Sequence, residues 1–247
     1  MKRPLHRLII IVALLMAGAA NAASLRISPI GLDIPSDERA ASMTLVNTSV
    51  EPVNLQLRVF QWSQRDGRDV FAPTTDILVT PPATTIPPGA SYTVRVARTG
   101  AAQPDSELSY RLFIDELPKP VDPGTVNQGV AMVLRTSLPV FVVDPKAYPK
   151  LAWELRQDAE GLHLKATNSG GRHAKISGLA LHPQSGDPIN FGDGLNGYVL
   201  AGSSRVFDLK PLGAKPDLLP AGAAFTLTAK SNGQDIQDSV LVSVDAH

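Results

Sequence analysis

The chain has no cysteine. That absence removes thiolate nucleophiles, thiolate metal sites and disulfide staples together, so the fold must be held by burial of apolar side chains. No surplus of either charge is present, because 23 Lys and Arg balance 23 Asp and Glu. Without a basic excess there is no long-range field for a polyanion, and nucleic acid is excluded as an expected partner. No apolar run approaches the roughly 20 residues that a membrane-spanning helix needs. Long helices are excluded as well, since 21 Pro and 19 Gly are spread along the sequence and each interrupts a helical run.

What is there begins with a leader. Lys2, Arg3 and Arg7 form a basic start, residues 8–17 are apolar, and Ala20-Asn21-Ala22 supplies small residues at the two positions a signal peptidase reads. Residues 1–22 therefore read as a secretory signal, with an exported chain starting at Ala23. The leader carries three basic residues and no acid, which leaves the remainder at −3. That remainder is too long for one ordinary domain, so two are expected.

Short runs rich in Val, Leu, Ile, Thr and aromatics alternate with Pro, Gly, Asn and Asp, the pattern of many short strands in a sandwich or barrel. Residues 42–46, 53–61, 91–97, 109–114, 130–134 and 140–143 form a first series. A second occupies 151–156, 162–167, 175–182, 199–200, 204–209, 225–230 and 239–244. Between them, Pro145 and Pro149 interrupt any ladder. The expected organisation is a domain over 23–143, a linker at 144–149 and a second domain over 150–247, each an all-β sandwich of immunoglobulin size.

Residues that carry chemistry elsewhere do not assemble here. Gly192, Gly194 and Gly197 match the spacing of a dinucleotide loop, but a strand follows where that loop requires a helix N-terminus facing the pyrophosphate. His163, His173 and His182 lack the close pair typical of zinc sites. Asp115 and Glu116 are adjacent in a strand, so they point to opposite faces and cannot share a proton. No serine nucleophile elbow occurs. Asn47-Thr48-Ser49 is formally a glycosylation sequon, and is read instead as a turn. The expectation is a protein that is not an enzyme, with no metal and no cofactor.

One segment breaks the pattern. In residues 129–138, Val130, Met132, Leu134, Thr136 and Leu138 share one face of a strand while Ala131, Val133, Arg135 and Ser137 share the other. Both faces are apolar over the first half. Such a strand is either central and buried on both sides, or an edge with Ala131 and Val133 toward its own core and the other face awaiting another chain.

The order of motifs resembles the periplasmic pilus chaperones of the chaperone–usher pathway. The matching stretches are Ser28-Pro29-Ile30-Gly31-Leu32-Asp33-Ile34-Pro35, Met43-Thr44-Leu45-Val46-Asn47, Thr80-Pro81-Pro82 with Ile86-Pro87-Pro88-Gly89, and Tyr110-Arg111-Leu112 with Asp115-Glu116-Leu117-Pro118. Residues 131–142 are similar to the donor strand. The text Ser137-Leu138-Pro139-Val140-Phe141-Val142 is similar to the archaic, spore-coat-like branch. The resemblance implies two immunoglobulin-like sandwiches in an L-shape around a cleft. It implies pilus subunits and an outer-membrane usher as partners, and a periplasmic location without membrane insertion. It also implies an apolar edge that the free protein could cover by pairing with itself.

In the better-known members an arginine and a lysine hold the subunit's terminal carboxylate. By this alignment their places are Gly31 and Pro139. The resemblance then leaves Arg111 as the first candidate anchor and Arg135 as the second, with Val130, Met132, Leu134 and Thr136 as the subunit-binding positions. The alternative is a secreted structural or adhesive β-sandwich that is itself a pilus component.

Overall fold

A computed structural model describes residues 25–100, 106–118, 133–158, 160–209 and 219–244 of the chain. Among these residues there are eighteen strands, and no helix is long and apolar enough to cross a membrane.

The first ten strands form a two-layered domain. One layer holds β1 (Leu25–Ser28), β3 (Ala40–Asn47), β8 (Ser91–Arg98) and β6 (Ile77–Thr80), in that order across the sheet. The other runs β2 (Leu32–Pro35), β10 (Arg135–Val143), β9 (Leu108–Glu116), β4 (Val53–Arg65) and β5 (Arg68–Pro73), with β7 (Ala83–Ile86) also paired to β4. The alternation read in the sequence decides what faces inward. Met43 and Leu45 from one layer meet Leu55, Leu57, Leu112, Ile114, Leu138, Val140 and Val142 from the other, all buried. Each such side chain contributes about 1.5–3 kcal/mol relative to exposure.

Asn47 ends β3 as a buried polar hub. Its Nδ2 donates to the carbonyls of Glu51 (2.7 Å) and Ile86 (2.9 Å), and its Oδ1 accepts from the Ser49 backbone N–H (2.9 Å) and hydroxyl (2.7 Å). The amide of the sequon is thus committed to the turn. Because Asn47→Ala strands a buried carbonyl, it should destabilise the protein by about 3 kcal/mol. Urea unfolding of the two proteins measures this.

The second domain contains β11 (Leu151–Asp158), β12 (Gly161–Asn168), β13 (Ala174–Pro183), β14 (Ile189–Asn190), β15 (Leu195–Val199), β16 (Ser204–Leu209), β17 (Ala224–Ser231) and β18 (Gln234–Val244). Its two layers are joined by β18, which pairs antiparallel with β17 over residues 234–241 and then parallel with β11 over 242–244. The core between them includes Leu155, Leu164, Ile176, Leu181, Val199, Leu227 and Val242. Asn168 repeats the Asn47 device: its Oδ1 accepts from the N–H groups of Lys150 and Gly170, and its Nδ2 donates to the Arg172 carbonyl.

The domains meet through a third cluster of Trp62, Phe141, Val143, Tyr198 and Leu200. Polar contacts fix the joint around it. Gln64 Nε2 donates to the Tyr198 carbonyl at 2.8 Å and Gln64 Oε1 accepts from the Leu200 N–H at 3.0 Å. Glu107, with a wholly buried side chain, accepts from both the N–H (3.1 Å) and the Nδ1 (2.8 Å) of His173. The His173 ring stacks on Phe141 with centroids 3.7 Å apart.

Candidate functional site

Strand β10 is covered unequally along its length. On one side β9 pairs with it throughout, from Arg135 opposite Asp115 to Val142 opposite Leu108. On the other side β2 covers only residues 140–143, Val140 opposite Leu32 and Val143 opposite Pro35. No other described strand takes residues 135–139 on that side. A row of backbone donors and acceptors is left there without a partner strand, the configuration that recruits another chain. Pro139 sits where the cover begins and lacks the N–H that a doubly paired strand would require. A Cβ on Gly31 would lie 3.0 Å from its ring, so only glycine lets β2 approach without displacing it.

The open stretch ends at a cleft of about 970 Å³ between the domains. Gly31, Asp33, Ser137 and Pro139 line it from the first domain, Arg172, Lys175, Tyr198 and Arg205 from the second, and Arg111 lies on its wall opposite Pro139 across the β9–β10 pair. Arg111 is a half-buried cation whose Cζ lies over Trp62, 3.8 Å from the ring centroid, and 5.4 Å from that of Tyr198. Its Nε is buried and unpartnered, and it makes no hydrogen bond or ion pair to another described residue. Burial pushes its pKa down, opposed by Tyr198 and Asp69, and Arg205 adds a further downward push. The Tyr198 phenol is pushed up by burial against the pull of Arg111, so it stays protonated as a hydrogen-bond donor near neutral pH. A desolvated, unpaired guanidinium on an aromatic shelf beside a phenol is chemically a receptor for a carboxylate.

Residues 24–148 match the family described as pili and flagellar-assembly chaperone, PapD N-terminal domain. The chain belongs to this chaperone family. Solved structures share the fold over both domains of the chaperone. A chain of the CsuC–CsuE chaperone–tip adhesion subunit pre-assembly complex, from archaic chaperone-usher Csu pili of Acinetobacter baumannii, is 24% identical with a TM-score of 0.65, covering 91% of this chain and all of that one. The Pseudomonas aeruginosa CupB2 chaperone is 19% identical with a TM-score of 0.56, over 87% and 98%. A chain of the Salmonella enterica SafA pilin–SafB chaperone complex is 15% identical with a TM-score of 0.59, over 90% and 97%. A search of curated proteins finds no match.

The residues singled out in the sequence fall in different places on the chaperone. Arg111 and the two alignment positions Gly31 and Pro139 line one cleft. Arg135 is not on the cleft lining. It is mostly exposed and is tied, together with Arg58 (2.6 Å), to the buried Asp115, so its charge already has a partner. Val130 and Met132 lie outside the described residues. Leu134 is 44% exposed, and Thr136 is half-buried on β10 opposite Ile114.

Over the described part of this segment the core side is the even face, not the odd face that the edge alternative gave it. The even-numbered Leu138, Val140 and Val142 enter the core of the first domain, whereas Val133 is 49% exposed and Arg135 and Ser137 point outward. Apolar side chains at Ala131 and Val133 suggested an odd core face, but the odd face meets apolar cover only further on, at Phe141 and Val143, where the second domain packs on it.

The three histidines weighed as metal ligands are each structurally employed. His163 bridges Asp208 (2.7 Å) and Asp158 (3.0 Å), His173 holds Glu107, and His182 Nε2 lies 2.9 Å from the Thr228 hydroxyl. Trp62, Asp69, Tyr198 and Arg205 carry no local signature in sequence. They become a site only when the two domains meet.

Proposed function

We propose that this chaperone captures incomplete immunoglobulin-like pilus subunits by lending them the open edge of β10, and that Arg111 receives the subunit's terminal carboxylate in the cleft. The observation that carries the reading is the coincidence of the two features: an unpaired backbone edge over residues 135–139 that ends beside an unpaired, desolvated arginine. An added strand gains backbone hydrogen bonds along the edge irrespective of its sequence, and alternate side chains supply the fit. The even face of β10 runs from the chaperone's own core out to Thr136, with Leu134 just before the strand, and in this reading that face, with Met132 and Val130 as the sequence's next positions of the same parity, enters a guest core that continues the chaperone's. The three large apolar side chains, Val130, Met132 and Leu134, would contribute about 5–9 kcal/mol before ordering costs.

In this reading residues 1–22 direct export to the periplasm, residues 23–143 and 150–247 form the two domains on either side of the linker 144–149, and the complex is handed to an outer-membrane usher. The protein performs no chemistry. The text around Pro139, together with the likeness to the Csu chaperone fold, favours the archaic branch. Native mass spectrometry of the protein purified from a periplasmic extract of its own host is expected to show a one-to-one complex with a pilus subunit. Recovery only as free monomer or as self-polymers would refute the reading, the latter in favour of a structural pilus component.

A further inference from the structure

Arg111 should not be free. Asp69 lines the same cleft, and its charge is near enough to favour the cationic form of Arg111. A half-buried carboxylate next to an unpaired guanidinium ordinarily closes on it as a charge-assisted pair. Here it does not: Asp69 is held from elsewhere, mainly through Oδ1, and its Oδ2 is met by Arg205. Its Oδ1 accepts from Trp62 Nε1 (3.0 Å) and Gln64 Nε2 (2.9 Å), and Nη1 of Arg205 spans both of its oxygens at 3.0 Å. Burial alone would raise the pKa of Asp69, yet the bonds from Gln64, Arg205 and Trp62 and the charge of Arg205 bring it below the usual carboxylate value.

Arg205 belongs to β16 of the second domain and Asp69 to β5 of the first. The guanidinium reaches across along a path that Gly197 leaves open. At Gly197 the backbone φ is +153°, and a Cβ there would stand 2.8 Å from Arg205 Nε. The last glycine of the loop that fails as a nucleotide motif therefore has a use, which is clearance for this side chain.

We propose that Arg205 is a positioning residue that withdraws Asp69 from Arg111, so that docking of the second domain is what keeps the carboxylate anchor unoccupied and ready. The inference rests on the reading of Arg111 as anchor. It differs from an ordinary interdomain ion pair in the sign of one prediction. If the Arg205–Asp69 pair merely held the domains together, removing either partner would do similar harm. If Arg205 guards Arg111, losing Arg205 releases a competing internal carboxylate, and losing Asp69 removes the competitor.

The test uses the full exported chain, labelled for observation of arginine Nε–H resonances and titrated with acetate as the carboxylate probe. The Arg111 signal is assigned by its loss in Arg111→Gln. In the unaltered protein acetate is expected to shift that signal saturably. Arg205→Gln should weaken acetate binding at Arg111 by about tenfold, the value of one charge-assisted hydrogen bond lost to competition. Adding Asp69→Asn to Arg205→Gln should restore binding to within about threefold, and Asp69→Asn alone should bind at least as well as the unaltered protein. Backbone amide spectra check that each variant is folded. An Arg205→Gln protein that binds acetate normally, or a double variant no better than Arg205→Gln, overturns the guarding role while leaving the anchor intact. An Arg111 signal that acetate never moves overturns the anchor itself, and the guarding role with it.

Discussion

Arg111→Gln is expected to lower subunit capture by about ten- to a hundredfold, because a hydrogen-bonded charge pair in a desolvated cleft is worth about 1.5–3 kcal/mol. The same change should alter the stability of the free chaperone by no more than about 1 kcal/mol. It gives up the cation–π contact with Trp62, whose ring centroid is 3.8 Å away, worth about 0.5–2 kcal/mol, but it also removes a half-buried cation that no described residue pairs. Large loss of binding with little loss of stability is the signature of a residue kept for a ligand. Co-expression of the variant with a subunit, followed by quantitative co-purification and a urea melt of the chaperone alone, reads both quantities. Equal recovery of subunit with Arg111→Gln and with the original protein would remove Arg111 from the site. Arg135→Gln is the control, since that side chain is occupied by Asp115 and its loss should leave capture within about twofold, as for other exposed ion pairs.

The larger effect belongs to the strand. Leu134→Glu places a carboxylate where a guest core is expected to close, and it should reduce capture by at least about a hundredfold. About 1.5–3 kcal/mol of apolar burial disappears, and an unpaired charge must be desolvated in addition. In the free protein Leu134 is 44% exposed, so the change should leave folding within about 0.5 kcal/mol, as surface substitutions generally do. Val133→Glu is the matched comparison. Val133 is similarly exposed but has the opposite parity, so its carboxylate stays in water and capture should survive. If the two variants fail alike, the facing argument is wrong. If neither fails, the edge is not the point of attachment.

Much of this architecture was written in local pattern. Period-2 alternation at Met43 and Leu45, at Leu55 and Leu57, and at Tyr110, Leu112 and Ile114 is enough to place β3, β4 and β9 and their inward faces, because a half-buried strand imposes that period on its own residues. The weaker strands were not readable. Arg68-Asp69-Val70-Phe71 has too little apolar content to announce β5, which exists because β4 is long enough to carry a partner beyond β7. Nor could the sequence show that the odd face of β10 turns from solvent at Ser137 to a neighbouring domain at Phe141.

The cleft was legible only in part. Arg111 could be picked out as a charge inside an apolar strand, and the alignment positions Gly31 and Pro139 indicated where to look. Its setting could not be, because Trp62 and Asp69 meet Tyr198 and Arg205 across about 136 residues of chain, and no short-range periodicity encodes such an encounter.

The short reach of β2 has a consequence for how a guest would be measured. Since Leu32 already occupies the place beside Val140, an arriving strand that followed β10 as proposed would halt there, with its last residue next to Arg111. Register is then counted backward from the guest's final residue and is independent of its total length. One surplus residue at that terminus would turn every inward side chain outward, whereas two would keep the alternation and merely slide it. The parity of the guest's tail, more than its composition, would decide whether it is accepted.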